Sequence, residues 1–166
     1  MGTFGKLFGR DDPQIKWAQS LVEVARISAI TSLPALAERF PLLDKADREG
    51  WDFFATIAGV FIATSRLEKI AMTEEQKRAR LDAIESRLTN YKSDAIRAFE
   101  DCKVLFEREF DRRSALGQDA RFISADALGL WIFLNVFQRQ PTNLEDANVA
   151  RFSGTMVIDA VFDFWE

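Results

Sequence analysis

Residues 73–114 read TEEQKRARLD AIESRLTNYK SDAIRAFEDC KVLFEREFDR RS, with no glycine or proline among them. Thr73 followed by Gln76 is a capping box: the hydroxyl accepts from one orphan backbone N–H and the amide reaches back to another. Leu81, Ile84, Leu88, Tyr91, Ala95, Ala98, Cys102 and Leu105 then recur in steps of three and four. That spacing gathers apolar side chains on one helical face. Ten basic and ten acidic residues lie on this stretch. Glu74–Arg78, Arg97–Asp101 and Glu109–Arg113 stand at i, i+4, where opposite charges give weak support. The pattern predicts one continuous or merely kinked amphipathic helix over about 74–114. The alternative is a break near Thr89-Asn90, which would make a hairpin with Ser93 capping its second arm. The balanced charge reads as a solvated face, on which Glu100, Asp101, Glu107, Glu109 and Asp111 are surface acids. Lys77-Arg78-Ala79-Arg80 is a short basic cluster with acids on both sides, not a nucleic-acid stripe.

Toward the C-terminus, Gly117 and Gln118 mark a loop. Ser124 is placed to cap a helix carrying Leu128, Leu130, Trp131, Ile132, Phe133, Leu134, Val136 and Phe137, which is apolar around most of its circumference. Pro141 ends that unit. Thr142 or Asn143 caps a last helix from about Leu144 to Phe164.

Toward the N-terminus, Asp44 or Asp47 opens a helix running through Trp51, Phe54, Ile57, Ala58, Phe61, Ile62 and Leu67 to about Lys69. It too is apolar nearly all round, as befits a buried helix. Ala55, Gly59 and Ala63 form a small-residue stripe, and Ala125 and Gly129 repeat the step. We expect the two apolar helices to lie centrally with these stripes facing. Asp12 and Pro13 suit the cap and first position of the first helix, because proline lacks an N–H that has no partner there. Pro34 predicts a stop, with Leu33 to Phe40 as a separate short helix closed by Pro41.

The fold class is therefore all-α. A single-domain bundle of about six helices is expected over 12–166, with one long amphipathic helix at about 74–114 and two largely buried central ones. Residues 1–11 read as a flexible tail, whose Phe4, Leu7 and Phe8 beside Lys6 and Arg10 could touch a membrane surface or a partner. With 166 residues the chain can bury a core without staples. Four prolines and eight glycines are too few for the turns of an all-β chain.

Composition also removes mechanisms. There is no histidine, which excludes Ser-His-Asp and Cys-His nucleophile systems and the usual zinc and di-iron sites built from this chain alone. One cysteine, Cys102, forms no internal disulfide; it lies on an apolar seam and reads as a buried, inert thiol. The N-terminus lacks a signal-peptide run, and Lys6 breaks the myristoylation pattern. The longest apolar runs, Phe53 to Ala63 and Ala127 to Leu134, are too short to span a bilayer. A cytoplasmic protein without integral membrane insertion is expected. No catalytic, cofactor-binding or metal-binding residue is assigned, and no nucleic-acid partner.

Two features point further. Fifteen phenylalanines and four tryptophans supply a packed core, or line a pocket for a flat or greasy ligand between helices. The second is the chain end. From Pro141 onward there are five acids and one base, a sum equal to the −4 of the whole chain. Glu145 and Asp146 suit a helix N-terminus. Asp159, Asp163 and Glu166 do not: they share one face at the end where the dipole favours cations, and like charges four apart repel. Phe162 and Trp165 stand among them. Asp159, Phe162, Asp163, Trp165 and Glu166 are the candidate partner-binding residues. Their partner would be another protein with a basic surface, or a second copy of the chain. In the competing arrangement the aromatics complete the core and the acids pair with Arg139, Arg48 or Arg26. The expected function is a non-enzymatic adaptor or inhibitor. The alternatives are a carrier or sensor of an apolar molecule and a carboxylate-only enzyme.

Overall fold

The computed structural model describes residues 12–162. It contains six α-helices: α1 (Pro13–Arg39), α2 (Arg48–Ser65), α3 (Glu74–Tyr91), α4 (Ala95–Ser114), α5 (Ala120–Phe137) and α6 (Leu144–Ala160). Short 3-10 turns, Pro41–Lys45 and Leu67–Lys69, follow α1 and α2. No strand occurs among the described residues. The all-α bundle predicted from periodicity is the observed class. The N-terminal tail lies outside the described residues.

Local chemistry sets most helix starts. Asp12 accepts from Gln14 N, Asp47 from Gly50 N and Asn143 from Asp146 N. The capping box at Thr73 and Gln76 is complete in both directions. Each cap satisfies an N–H that the helix leaves without a partner.

The departures have tertiary causes. Pro34 lies inside α1 and does not end it. Its ring is on the exposed side, while Ala29 and Leu33 are buried and Trp51 Nε1 donates to the Ala29 carbonyl at 2.8 Å. Packing holds the helix through the backbone bond that proline removes. The predicted long helix is interrupted by extended backbone at Lys92, two residues after Asn90, and Asp94 rather than Ser93 occupies the cap position. A straight helix over 74–114 would measure about 60 Å, longer than the roughly 40 Å diameter of a compact domain whose radius of gyration is about 15 Å. Breaking it lets Ile84 and Leu88 bury on one side of the interruption and Ala95, Ala98 and Cys102 on the other. Glu74 and Leu81 now share a cleft with Phe99 and Glu107, so the two arms fold back on each other.

Three further boundaries move. α5 starts at Ala120, where Asp119 caps it, and the Ser124 hydroxyl donates to the Ala120 carbonyl inside the helix. α2 ends at Ser65, four residues before Lys69. α6 ends at Ala160, short of Phe164. Carrying it on would set Asp163 four residues after Asp159 at a helix end that disfavours anions.

α2 is the central element, touching α1, α4, α5 and α6. The small-residue stripes do not face each other. A Cβ built on Gly59 meets Ala25, Val157 and Val161, so that stripe admits α1 and the end of α6. A Cβ on Gly129 would fall 1.7 Å from the Ala150 carbonyl oxygen, and one on Gly154 would fall 1.9 Å from that of Ala125. Ala125 and Gly129 thus mesh with Ala150 and Gly154, bringing the α5 and α6 backbones into direct contact. Buried residues from all six helices join in one cluster, with Trp51, Leu21, Ile57 and Phe133 among the largest side chains shut from water.

By length and composition alone, two helices are apolar enough to cross a membrane, α1 and α5. Half of the α5 window is buried in the bundle, against 28% of the α1 window. Burial in the core accounts for the apolar character of α5. α1 keeps an exposed apolar face.

Candidate functional site

Three of the five candidate residues, Asp163, Trp165 and Glu166, lie outside the described residues. The other two sit together at the end of α6. Asp159 is 55% exposed and accepts from Arg121 Nη2 at 3.2 Å. Phe162 is 52% exposed and stands at the mouth of a 480 Å³ groove with Ile62, Phe106, Phe110 and Ile158. Arg66, Lys69, Arg121 and Asp119 also line it. The arginine facing this acidic end is Arg121. Arg139 pairs with Asp146 and Arg26 with Glu23.

A second cleft, of 670 Å³, opens between α3 and α4 over the end of α2. Phe61, Phe99 and Phe106 form its aromatic floor, with edge-to-face ring pairs at 5.7 and 5.2 Å. Leu81, 46% exposed, stands at its side. Lys77, Arg78 and Lys103 balance Glu74, Glu100 and Glu107 around it. Phe106 lines both hollows, so they adjoin.

Buried carboxylates form the other polar feature. Asp146, 1% exposed, receives Arg139 Nη1 and Nη2 at 2.6 and 2.9 Å and the Thr142 N–H and hydroxyl at 2.8 and 3.0 Å. Arg139 above all, then the Thr142 donors, hold its carboxyl well below the usual range against the opposing effect of burial. Asp126 receives Arg151 Nε and Nη2 at 2.6 and 2.8 Å and Arg113 Nη1 at 2.7 Å, tying α4, α5 and α6 together. Glu109, read from sequence as a surface acid, is buried. Burial pushes its carboxyl up, but Arg112, Arg113 and Arg108 outweigh that and leave it lowered. Sequence reasoning missed Asp126 and the weight of Asp146. The available signals were a lone acid in the apolar run of α5 and a lone base, Arg151, in α6.

These carboxylates are acceptors already saturated by arginine, so their chemistry is structural. Asp52 differs: half-buried in a groove with Glu38 and Asp44, it is raised by burial against the pull of Arg26, Lys92 and Arg48. Cys102 is fully buried and its thiol is pushed well up by burial, which makes it a poor nucleophile. Among the described residues no group of three or more His, Cys, Asp or Glu side chains could hold a metal ion. No protein-family model, curated protein or solved structure matches the chain.

Proposed function

We propose that the protein is a non-enzymatic interaction module that seats another protein on the groove at the end of α6. The observation that carries this reading is Phe162, half out of water at the rim of an apolar hollow and near the exposed Asp159–Arg121 pair. An aromatic anchor beside a hollow supplies affinity, and rim charges supply orientation and association rate. Arg66, Lys69 and Arg121 on the same groove add cations to the acids, so the groove suits an apolar anchor ringed by both signs of charge more than a purely basic face. The carboxylate-only enzyme requires inward carboxylates without arginine partners; Glu109, Asp126 and Asp146 each have one, which weighs against it. A cytoplasmic setting belongs to the same proposal, supported by a single, buried cysteine.

The test is a photo-crosslinking phenylalanine analogue placed at Phe162, and separately at Val104, which is 64% exposed on α4 and outside both grooves. The expected result in native lysate is a discrete protein adduct at position 162 only. Excess wild-type protein should suppress it, and the variant carrying Asp159→Lys and Phe162→Asp should not. The same labelling at both positions would refute the proposal.

A second reading rests on the α3–α4 cleft, whose volume falls within the ~300–1,000 Å³ of small-molecule sites and whose floor is aromatic. It makes the protein a carrier of a flat or greasy ligand. Native mass spectrometry of purified protein should then reveal a bound mass lost in Phe99→Asp. A clean apo mass, with no thermal stabilisation by fatty acids or flat aromatics, would remove this reading.

A further inference from the structure

α1 and α3 lie side by side and run the same way. Arg80 Nε donates to Gln14 Oε1 at 2.9 Å and its guanidinium stands 4.4 Å over the Trp17 ring, while Tyr91, at the other end of α3, is within electrostatic reach of Arg26. Along this seam the two helices border a groove of 520 Å³, within the ~300–1,000 Å³ of small-molecule sites. It shares no lining residue with the two hollows described above. Ile15, Ala79 and Ala83, all half-buried, give it an apolar lining.

Half-buried Arg87 borders the groove and has no partner among the described residues: it makes no hydrogen bond or ion pair with them, and its Nε is shut from water without an acceptor. Arg113, Arg139 and Arg151, by contrast, each hold a carboxylate. Glu23, one turn beyond Gln19 on α1, is engaged by Arg26 Nη2 and Nε at 3.2 and 3.4 Å. A guanidinium that has left water without gaining an acceptor carries a cost that a carboxylate ligand would recover. The other charges lining the groove are acids. Asp82 is exposed and makes no ion pair with a described residue, and Asp12 accepts only from Gln14 N. Asp82 precedes Arg87 by about 7.5 Å along the helix axis. Asp12 lies at the end away from Arg87, because Arg80 already stands level with Gln14 and Trp17. The groove thus has a cation at one end, anions toward the other, apolar side chains between, and one negative charge in excess.

We propose that the α1–α3 groove binds a basic α-amino acid, either free or as the C-terminal residue of a peptide. Arg87 receives the carboxylate, in the two-pronged geometry that guanidinium and carboxylate share. Asp82 receives the side-chain cation, and the aliphatic chain between them lies on Ile15, Ala79 and Ala83. Asn90 Nδ2 already donates to the Ser86 carbonyl at 2.7 Å, which leaves its Oδ1 to accept from the ligand's α-nitrogen. At neutral pH lysine carries one carboxylate and two ammonium groups, a net charge opposite to that of the groove. Inorganic phosphate would be opposed by both acids. The site is independent of the groove at the end of α6, and the two proposals stand or fall separately.

Titration of the full chain with L-lysine, followed by two-dimensional amide NMR, tests it, with far-UV circular dichroism to establish folding of each variant. Shifts should centre on α1 around Ile15 and Gln19 and on α3 from Ala83 to Asn90. For so small a ligand the dissociation constant should be about a millimolar. On the wild type, 1,5-diaminopentane, which lacks the carboxylate, should bind at least about tenfold more weakly than lysine. Norleucine, with a methyl group in place of the ammonium, should bind about threefold more weakly. These two comparisons need no variant to fold. Arg87→Gln should cut lysine binding to the level of the diamine without weakening the diamine, and Asp82→Asn should cut it to the level of norleucine without weakening norleucine. Gly-Gly-Lys distinguishes the two sources: binding tighter than lysine assigns the site to peptide C-termini, and weaker binding assigns it to the free amino acid. No shifts at about 10 mM lysine, well above that dissociation constant, overturn the proposal. So do shifts centred elsewhere, a diamine that binds as tightly as lysine, an Arg87→Gln protein that binds lysine unchanged, or inorganic phosphate that displaces lysine at equal concentration.

Discussion

Gly129→Ala adds one methyl group at the closest approach of α5 and α6. The new Cβ would fall 1.7 Å from the Ala150 carbonyl oxygen and 2.4 Å from its carbon. Carbon–oxygen contacts settle near 3.3 Å or beyond, so the two backbones must part by roughly 1.5 Å. Neither atom can swing away, because both belong to helical main chain. Opening a packed interface by even ~1 Å forfeits about half of its dispersion contacts. Overpacking of this kind costs about 1–3 kcal/mol and sometimes more, while replacing glycine inside a helix returns about 1 kcal/mol. With backbone on both sides of the clash the gross cost should exceed that range, at about 3–5 kcal/mol, which leaves a net loss of about 2–4 kcal/mol. At about 2–4 °C per kcal/mol for a domain of this length, Tm should fall by roughly 5–15 °C. Gly154→Ala should behave alike, since its Cβ meets the Ala125 carbonyl at 1.9 Å. Gly59→Ala is the control: its nearest neighbours are side-chain carbons, Ala25 Cβ at 3.0 Å and Val161 Cγ1 at 3.5 Å. Helix propensity and mild crowding should cancel there to within about 1 kcal/mol. Thermal and urea unfolding followed by circular dichroism measures all three. A Gly129→Ala protein as stable as Gly59→Ala would refute the reasoning, because the backbone contact would then not exist.

Other outcomes follow from the buried polar groups. Asp146→Asn should cost about 2–3 kcal/mol by weakening charge-assisted hydrogen bonds, read as a lower urea midpoint at pH 7. Its native carboxyl lies below the usual carboxylate range, so its contribution is complete at neutral pH and is lost as pH falls below about 4. The variant should therefore lose less stability than wild type on acidification through that window, and parallel pH curves would contradict the assignment. Cys102 should react with a thiol reagent only at the rate of unfolding, given its complete burial; stoichiometric labelling of native protein within minutes would count against the fold. Trp51→Phe should lose about 1–2 kcal/mol from the bond to the Ala29 carbonyl, and unchanged stability would show that this bond does not support the helix around Pro34.

The fold was legible where one residue determines its own surroundings. Asp12 and Thr73 with Gln76 cap the helices they were expected to cap, and Asp47 and Asn143 are the members of the pairs Asp44/Asp47 and Thr142/Asn143 that do so, because a cap needs only backbone groups two or three residues away. The burial of Cys102 and of the α2 and α5 segments followed from spacing and composition. The candidate site was legible in part. The oddity of Asp159 and Phe162 was visible, but not Arg121, which lies 38 residues before Asp159 in the chain.

By itself, the sequence determined the all-helical class, most helix starts and which segments would be central, since these depend on interactions within a few turns. Tertiary structure decided the rest. It carried α1 through Pro34, interrupted the 74–114 stretch at Lys92, and matched Gly129 with Gly154 instead of Gly59. It also buried Asp126 between Arg113 and Arg151. In each case the local preference is worth at most a few kcal/mol, and the opposing gain comes from surfaces distant in sequence that meet only once the chain has folded.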